Sequence, residues 1–147
     1  MKAENVNVPI NFVSDLKSMV EMVKEFHNTY SCPIAESPAF PDDKLRQLRV
    51  RLLNEEVMEL NSAMVNEDMI EVADGIVDCL YILIGTAITY GIADALPNLF
   101  AEVHHSNMSK LHDGKVVKRE DGKVIKGPQY TPPQLGKIIS EFVNAQL

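Results

Sequence analysis

Apolar residues recur at intervals of three and four over about residues 11–30: Phe12, Leu16, Met19, Val20, Val23 and Phe26, with His27 on the same face. That is the period of an amphipathic helix, and Ser14 or Asn11 is placed to cap it. Pro33, Pro38 and Pro41 then punctuate a loop over 29–41, of a length that is often functional in a compact domain. Asp42 and Asp43 open a second helix that runs to about residue 66, since acids offset the dipole at a helix N-terminus. A third helix covers about 68–90 and Gly91 breaks it. A fourth follows to about residue 111, with Pro97 in its first turns. Two valine-bearing segments, 115–118 and 123–126, flank Arg119-Glu120-Asp121-Gly122, which predicts a small β-hairpin. A last helix begins after Pro132 and Pro133 and reaches about residue 143. The expectation is all-α: a four-to-five-helix bundle, one domain over residues 1–147, with a small hairpin near residues 115–126.

The second and third helices interrupt their own apolar pattern. At 100° per residue, Leu45, Leu48, Leu52, Glu55, Glu56, Glu59 and Ala63 share one stripe. Val50, Leu53, Val57, Leu60 and Met64 form an apolar stripe beside it. The third helix is apolar nearly all round from Ile70 to Ile88, which predicts a central place in the core. Yet Glu71, Asp74 and Asp78 stack on one stripe, continued by Ile82 and Gly85. The link at 66–68 is short, so the two helices should be antiparallel neighbours. Folding back there sets Glu56 and Glu59 level with Asp74 and Glu71, and up to six carboxylates converge.

Ionised carboxylates facing buried surface cost several kcal/mol each unless they are compensated. Either some are protonated, or basic residues pair with them, or divalent cations bind. An all-oxygen donor set without histidine or thiolate selects Mg²⁺, with Mn²⁺ possible. Composition narrows the partners further. The 14 basic and 21 acidic residues give a formal charge of −7, which argues against a nucleic acid polymer or an anionic membrane as partner. Cys32 and Cys79 have no metal-ligand spacing, as expected in a reducing compartment. The N-terminus shows no basic and apolar leader. The most apolar run, 79–92, is shorter than the ~20 residues a bilayer crossing needs. A cytoplasmic protein is the expectation.

At the acidic residues the sequence resembles the MazG-like all-α nucleotide pyrophosphohydrolases, marked by Glu-Glu-x-x-Glu on one helix and Glu-x-x-Asp on the next. Here these are Glu55-Glu56-Val57-Met58-Glu59 and Glu71-Val72-Ala73-Asp74, with eleven residues between them. Downstream, Ser106-Asn107-Met108-Ser109-Lys110, Asp113-Gly114-Lys115-Val116 and Lys126-Gly127-Pro128-Gln129-Tyr130-Thr131-Pro132-Pro133 are similar to the phosphoribosyl-ATP pyrophosphohydrolase-like branch. The resemblance covers about residues 44–135. It implies a bundle of the all-α NTP pyrophosphatase type that cleaves the α–β phosphoanhydride of a nucleoside triphosphate or a phosphoribosyl-ATP-like nucleotide. It also implies that Glu56, Glu59, Glu71 and Asp74 ligate Mg²⁺, that Asp78 is a further ligand or an acceptor behind the ligands, and that Glu55 orients or deprotonates the attacking water.

The chemistry is consistent with that. Phosphoryl transfer needs charge neutralisation and in-line positioning more than covalent help, and two metal ions can clamp the attacking and leaving oxygens. Asn107 and Lys110, at i and i+3, can reach one phosphate, with Lys126 and Tyr130 closing over it and Arg49 as a further donor. Arg51 and Glu55, at i and i+4, suit an intrahelical ion pair. Two rival readings remain. One is a ferritin-like di-metal carboxylate bundle, for which Glu102-Val103-His104-His105 supplies one of the two Glu-x-x-His motifs needed. The other is a non-catalytic helical module that binds a cation or a partner. A third helix apolar all round predicts a homodimer or homotetramer.

Overall fold

The computed structural model describes residues 15–147. Asn11, Phe12 and Ser14, assigned above to the first helix and its cap, lie outside the described residues. Those residues contain five α-helices: α1 (Leu16–Thr29), α2 (Asp43–Val65), α3 (Met69–Thr89), α4 (Leu96–Met108) and α5 (Leu135–Asn144). They group into two compact units that divide between Asp94 and Ala95.

The first unit is held by α3. Each of its helices starts on an aspartate whose carboxylate accepts backbone N–H groups that the first turn leaves without partners. Asp15, rather than Ser14 or Asn11, caps α1 through Ser18 N at 2.8 Å. Asp42 caps α2 through Leu45 N, and Asp68 caps α3 through Ile70 N and Glu71 N. The α2–α3 turn needs a left-handed residue, and Glu67 takes it at φ 56°. The two helices are therefore antiparallel, as the short link requires.

They come closest at Gly75. A Cβ built there would lie 2.9 Å from the Cβ of Leu60 and 3.0 Å from its Cα. Helix α1 also packs on α3: Phe26 meets the ring of Tyr81, and His27 lies against Gly85. The buried core is small: Val20 and Val23 from α1, Ala63 from α2, and Ile84, Ala87 and Ile88 from α3. The loop after α1 is strapped to the end of α3, where Ala35 N donates to the carbonyl of Ile88 and Ala39 N to that of Tyr90, both at 3.1 Å.

Helix α3 packs against both other helices of the first unit, as its apolar pattern predicts, yet it is not covered all round. Ile76, Val77, Leu80 and Leu83 are exposed. By length and composition alone α3 could cross a membrane, a test that core helices of bundles also meet. The expected hairpin is present in reduced form. The chain does turn back at Gly122 (φ 86°), and Arg119 N bonds to the carbonyl of Lys123 at 2.8 Å. Only the isolated bridges His112–Lys115 and Lys118–Val124 form, with no strand among the described residues. Val116, Val117, Val124 and Ile125 are all exposed. Two short segments with no apolar layer beneath them do not sustain a ladder.

In the second unit, α4 begins with Pro97 in its first turn and ends at Met108, one turn short of residue 111. Its end is tied to the long connection before α5. Ser106 Oγ donates to the carbonyl of Thr131 at 2.8 Å, and Thr131 N donates to Ser109 Oγ at 2.9 Å. Glu102 accepts from Gln134 N at 2.8 Å, at the start of α5.

Candidate active site

The six acids singled out from sequence all lie in the first unit. Glu55, Glu56 and Glu59 are on α2, and Glu71, Asp74 and Asp78 face them from α3. Glu59 and Glu71 line one depression of about 480 Å³ at the α2–α3 turn, with Ser62, Asn66 and Asp68. Glu56 is the electrostatic centre of the group. Partial burial, then the charges of Asp78, Glu59, Glu55 and Asp74, push its carboxyl above the usual range. Close approach of the helices at Gly75, beside Asp74, is what brings these charges across from one helix to the other.

Their exposure differs from the sequence expectation. Glu55, Glu59, Glu71 and Asp74 are exposed, and only Glu56 and Asp78 are half-buried. The acids border an open groove rather than a dry interior. No ion pair among the described residues involves any of the six. The expected Arg51–Glu55 pair is thus absent there. Glu55 instead borders a second depression, of about 500 Å³, along α2 with Arg51 and Met58. Among the described residues no group of three or more Asp, Glu, His or Cys side chains is close enough together to hold a metal ion. Mutual repulsion holds uncompensated carboxylates apart. The side chains offer only oxygen donors and carry several negative charges, the chemistry that a hard divalent cation takes when such groups draw together.

Arg49 sits about two turns of α2 before the acids and does not point at them. Its Nε donates to Thr86 Oγ1 at 3.1 Å and its Nη2 to the carbonyl of Ile82 at 2.7 Å. Burial pulls the guanidinium below its ordinary value, and an arginine stays charged regardless. Gly85 makes room for this arrangement: a Cβ there would lie 2.8 Å from Arg49 Nη2 and 3.1 Å from His27 Nε2. His27, buried, donates from Nδ1 to the carbonyl of Pro33 at 2.9 Å. An aromatic cluster meets α3 at Tyr81, one turn before Gly85. The rings of Phe26 and Tyr30 are 4.5 Å apart, and Tyr81 meets Phe26 edge-on at 5.7 Å.

The candidate phosphate-binding residues lie in the second unit, which brings them together. Lys126 Nζ stands 4.3 Å above the Tyr130 ring. The Ser106 hydroxyl, then the Lys126 and Lys110 ammonium groups, hold the Tyr130 phenol below its ordinary value. Asn107 is on α4 directly after Ser106. Gly127 permits the fold of this loop, because a Cβ there would lie 2.1 Å from the carbonyl oxygen of Leu111. Gly127 N donates to the carbonyl of Lys110 at 3.1 Å.

Gly75, Gly85 and the Phe26–Tyr81 contact are not among the features that the sequence pattern singles out. A signal existed for the two glycines. An isolated glycine inside a helix costs about 1 kcal/mol against alanine, which points to a packing reason. Nothing in the sequence pairs Phe26 with Tyr81 across 55 positions.

A comparison with curated proteins finds no match. The family profile for phosphoribosyl-ATP pyrophosphohydrolase matches residues 23–107, more than half of the chain. That stretch runs from the middle of α1 through all six acids to Asn107. The ferritin-like alternative loses its footing, since Glu102–His105 has no second Glu-x-x-His partner in the sequence. With the acids on facing helices and this match across them, the chain belongs to the phosphoribosyl-ATP pyrophosphohydrolase family.

Proposed function

We propose that this protein is a Mg²⁺-dependent nucleotide pyrophosphohydrolase that cleaves the α–β phosphoanhydride of a nucleoside triphosphate or a phosphoribosyl-ATP-like nucleotide. The products are a monophosphate and pyrophosphate. Family membership supports the reaction class. The observation that carries the metal is a set of six acids on two facing helices, centred on Glu56, with no ion-pair partner among the described residues.

Glu56, Glu59, Glu71 and Asp74 hold the Mg²⁺, with Mn²⁺ as the alternative ion, and Asp78 is a further ligand or an acceptor behind them. When bound, the ion neutralises phosphate charge and acts as a Lewis acid. Glu55 is exposed on the solvent side of α2 and orients or deprotonates the attacking water. A carboxylate does this best within hydrogen-bond reach of that water. Asn107, Lys110, Lys126 and Tyr130 form a phosphate-binding group: a neutral donor, two point charges and a phenol. Arg49 offers donors toward the nucleotide beyond the two that it gives to Thr86 and Ile82.

The test is a pyrophosphate-release screen over nucleoside triphosphates, dUTP, modified triphosphates and phosphoribosyl-ATP, with Mg²⁺, with Mn²⁺ and with EDTA. Metal-dependent release of a monophosphate is expected for at least one of them. The reading fails if no substrate releases pyrophosphate while metal binding is seen separately.

We also propose a homodimer or homotetramer, with a second copy covering the apolar residues that α1 and α2 leave open on α3. Ile76 and Val77 are more than half exposed, and Leu80 and Leu83 extend the same helix. Apolar surface on this scale marks an interaction site in a folded chain. Light scattering should give a mass of two or four chains, and Val77→Asp should shift it toward one. A parent protein that is monomeric at all concentrations contradicts the assembly without touching the chemistry.

A further inference from the structure

The carboxylates account for the charged part of a nucleotide and leave its base unassigned. The first unit offers one surface suited to a base. Tyr81 continues the α3 stripe of Asp74 and Asp78, at i+7 and i+3, and so lies about 4.5 Å along the helix from Asp78. It is the point where α1 meets α3. Phe26 packs edge-on against it, and Tyr30 lies over Phe26 at 4.5 Å. The cluster is not sealed: Tyr30 is 66% exposed and Phe26 40%.

A ring that packs against one neighbour and is otherwise exposed has no folding role for its exposed part. Tyr30 also sits at the C-cap of α1, where the following backbone is fixed by the bond from Cys32 N to the carbonyl of His27 at 2.8 Å. The ring is thus carried by a positioned end of a helix and not by a free loop tip.

We infer that Phe26, Tyr30 and Tyr81 form a stacking platform for the base of the nucleotide, with Tyr30 as the ring that the base covers. The inference rests on the hydrolase reading of the acidic groove and adds the residues that decide base affinity. Stacking recognises a flat π-face, which every base has, so the platform sets affinity for a nucleotide over a bare phosphate chain. Removing one stacking ring weakens binding by about 5- to 150-fold. Phe40, the other exposed aromatic of this unit, packs on Tyr90 beyond Gly85 on α3 and is left out of the platform.

The chain has four tyrosines and no tryptophan, so ring-labelled tyrosine gives four assignable NMR signals. The probes are the α,β-methylene analogues of ATP and UTP, which resist cleavage at the bond in question, and inorganic tripolyphosphate, which has no base. With Mg²⁺ present, the nucleotide analogues should shift the Tyr30 and Tyr81 signals, and tripolyphosphate should leave them in place. Tyr30→Ala should weaken the analogues by the factor above without changing tripolyphosphate affinity, and Tyr30→Phe should restore them. If the analogues bind while the Tyr30 and Tyr81 signals stay in place, or if Tyr30→Ala weakens both kinds of probe equally, the platform is wrong and the hydrolase reading stands. If neither kind of probe binds, the hydrolase reading falls and the platform falls with it.

Discussion

Glu59→Gln and Asp74→Asn should each lower metal-dependent pyrophosphate release by more than about 100-fold. Changing a group that merely supports a metal ligand already costs 10- to 100-fold, and these variants remove proposed ligands. The effect should not come from unfolding. The two side chains are exposed and make no ion pair among the described residues, and each variant takes one negative charge out of a repelling group. The metal-free variants should therefore be at least as stable as the parent. The parent, in turn, should gain from Mg²⁺. Saturation at 100 times the dissociation constant adds about 2.7 kcal/mol, or roughly 5–10 °C in Tm for a chain of this size. Thermal unfolding with and without Mg²⁺ reads both quantities, and each variant should lose most of that gain. Full Mg²⁺ stabilisation and full turnover in both variants would remove these residues from the site.

Gly91→Ala should produce the largest stability loss of any single methyl addition in the first unit. Gly91 adopts φ +70°, and a Cβ there would lie 2.1 Å from the carbonyl oxygen of Ser37 and 2.4 Å from its carbon. The left-handed conformation costs an L-residue about 1–2 kcal/mol, and the forced displacement about 1–3 kcal/mol more. The Ser37 segment cannot simply retreat, since Ala35 and Ala39 on either side are bonded to the end of α3. A fall in Tm of roughly 4–20 °C follows. Gly136→Ala is the control, because nothing lies within 4 Å of a Cβ at that position in α5. There the better helix propensity of alanine should stabilise by about 1 kcal/mol. Equal melting of Gly91→Ala and the parent would show that the loop is not strapped to α3 as described.

Glu59 and Asp74 are legible in the sequence, through their place on two helical stripes. Gly91 is legible only in part. The apolar pattern stops there, which marks the end of the third helix. That the break is also a contact is not written locally, since Ser37 is 54 positions away and nothing nearby couples the two.

The sequence by itself determined the helices and the identity of the acids. A period of 3.6 residues, aspartates at the helix starts and a three-residue link between α2 and α3 are local properties, so they are written locally. They also fix that Glu56 and Glu59 must face Asp74 and Glu71. The β-hairpin is overstated by its sequence for the same reason: turn chemistry is local, but a ladder needs an apolar layer that only the fold could supply. Tertiary structure alone decided how exposed the acids are, that Arg49 turns to Thr86 and Ile82, and that Phe26, Tyr30 and Tyr81 meet. Each depends on where α1 packs on α3 and on where two glycines, Gly75 and Gly85, let other chains approach. Those are properties of the space between helices, which a periodic pattern along one helix does not encode.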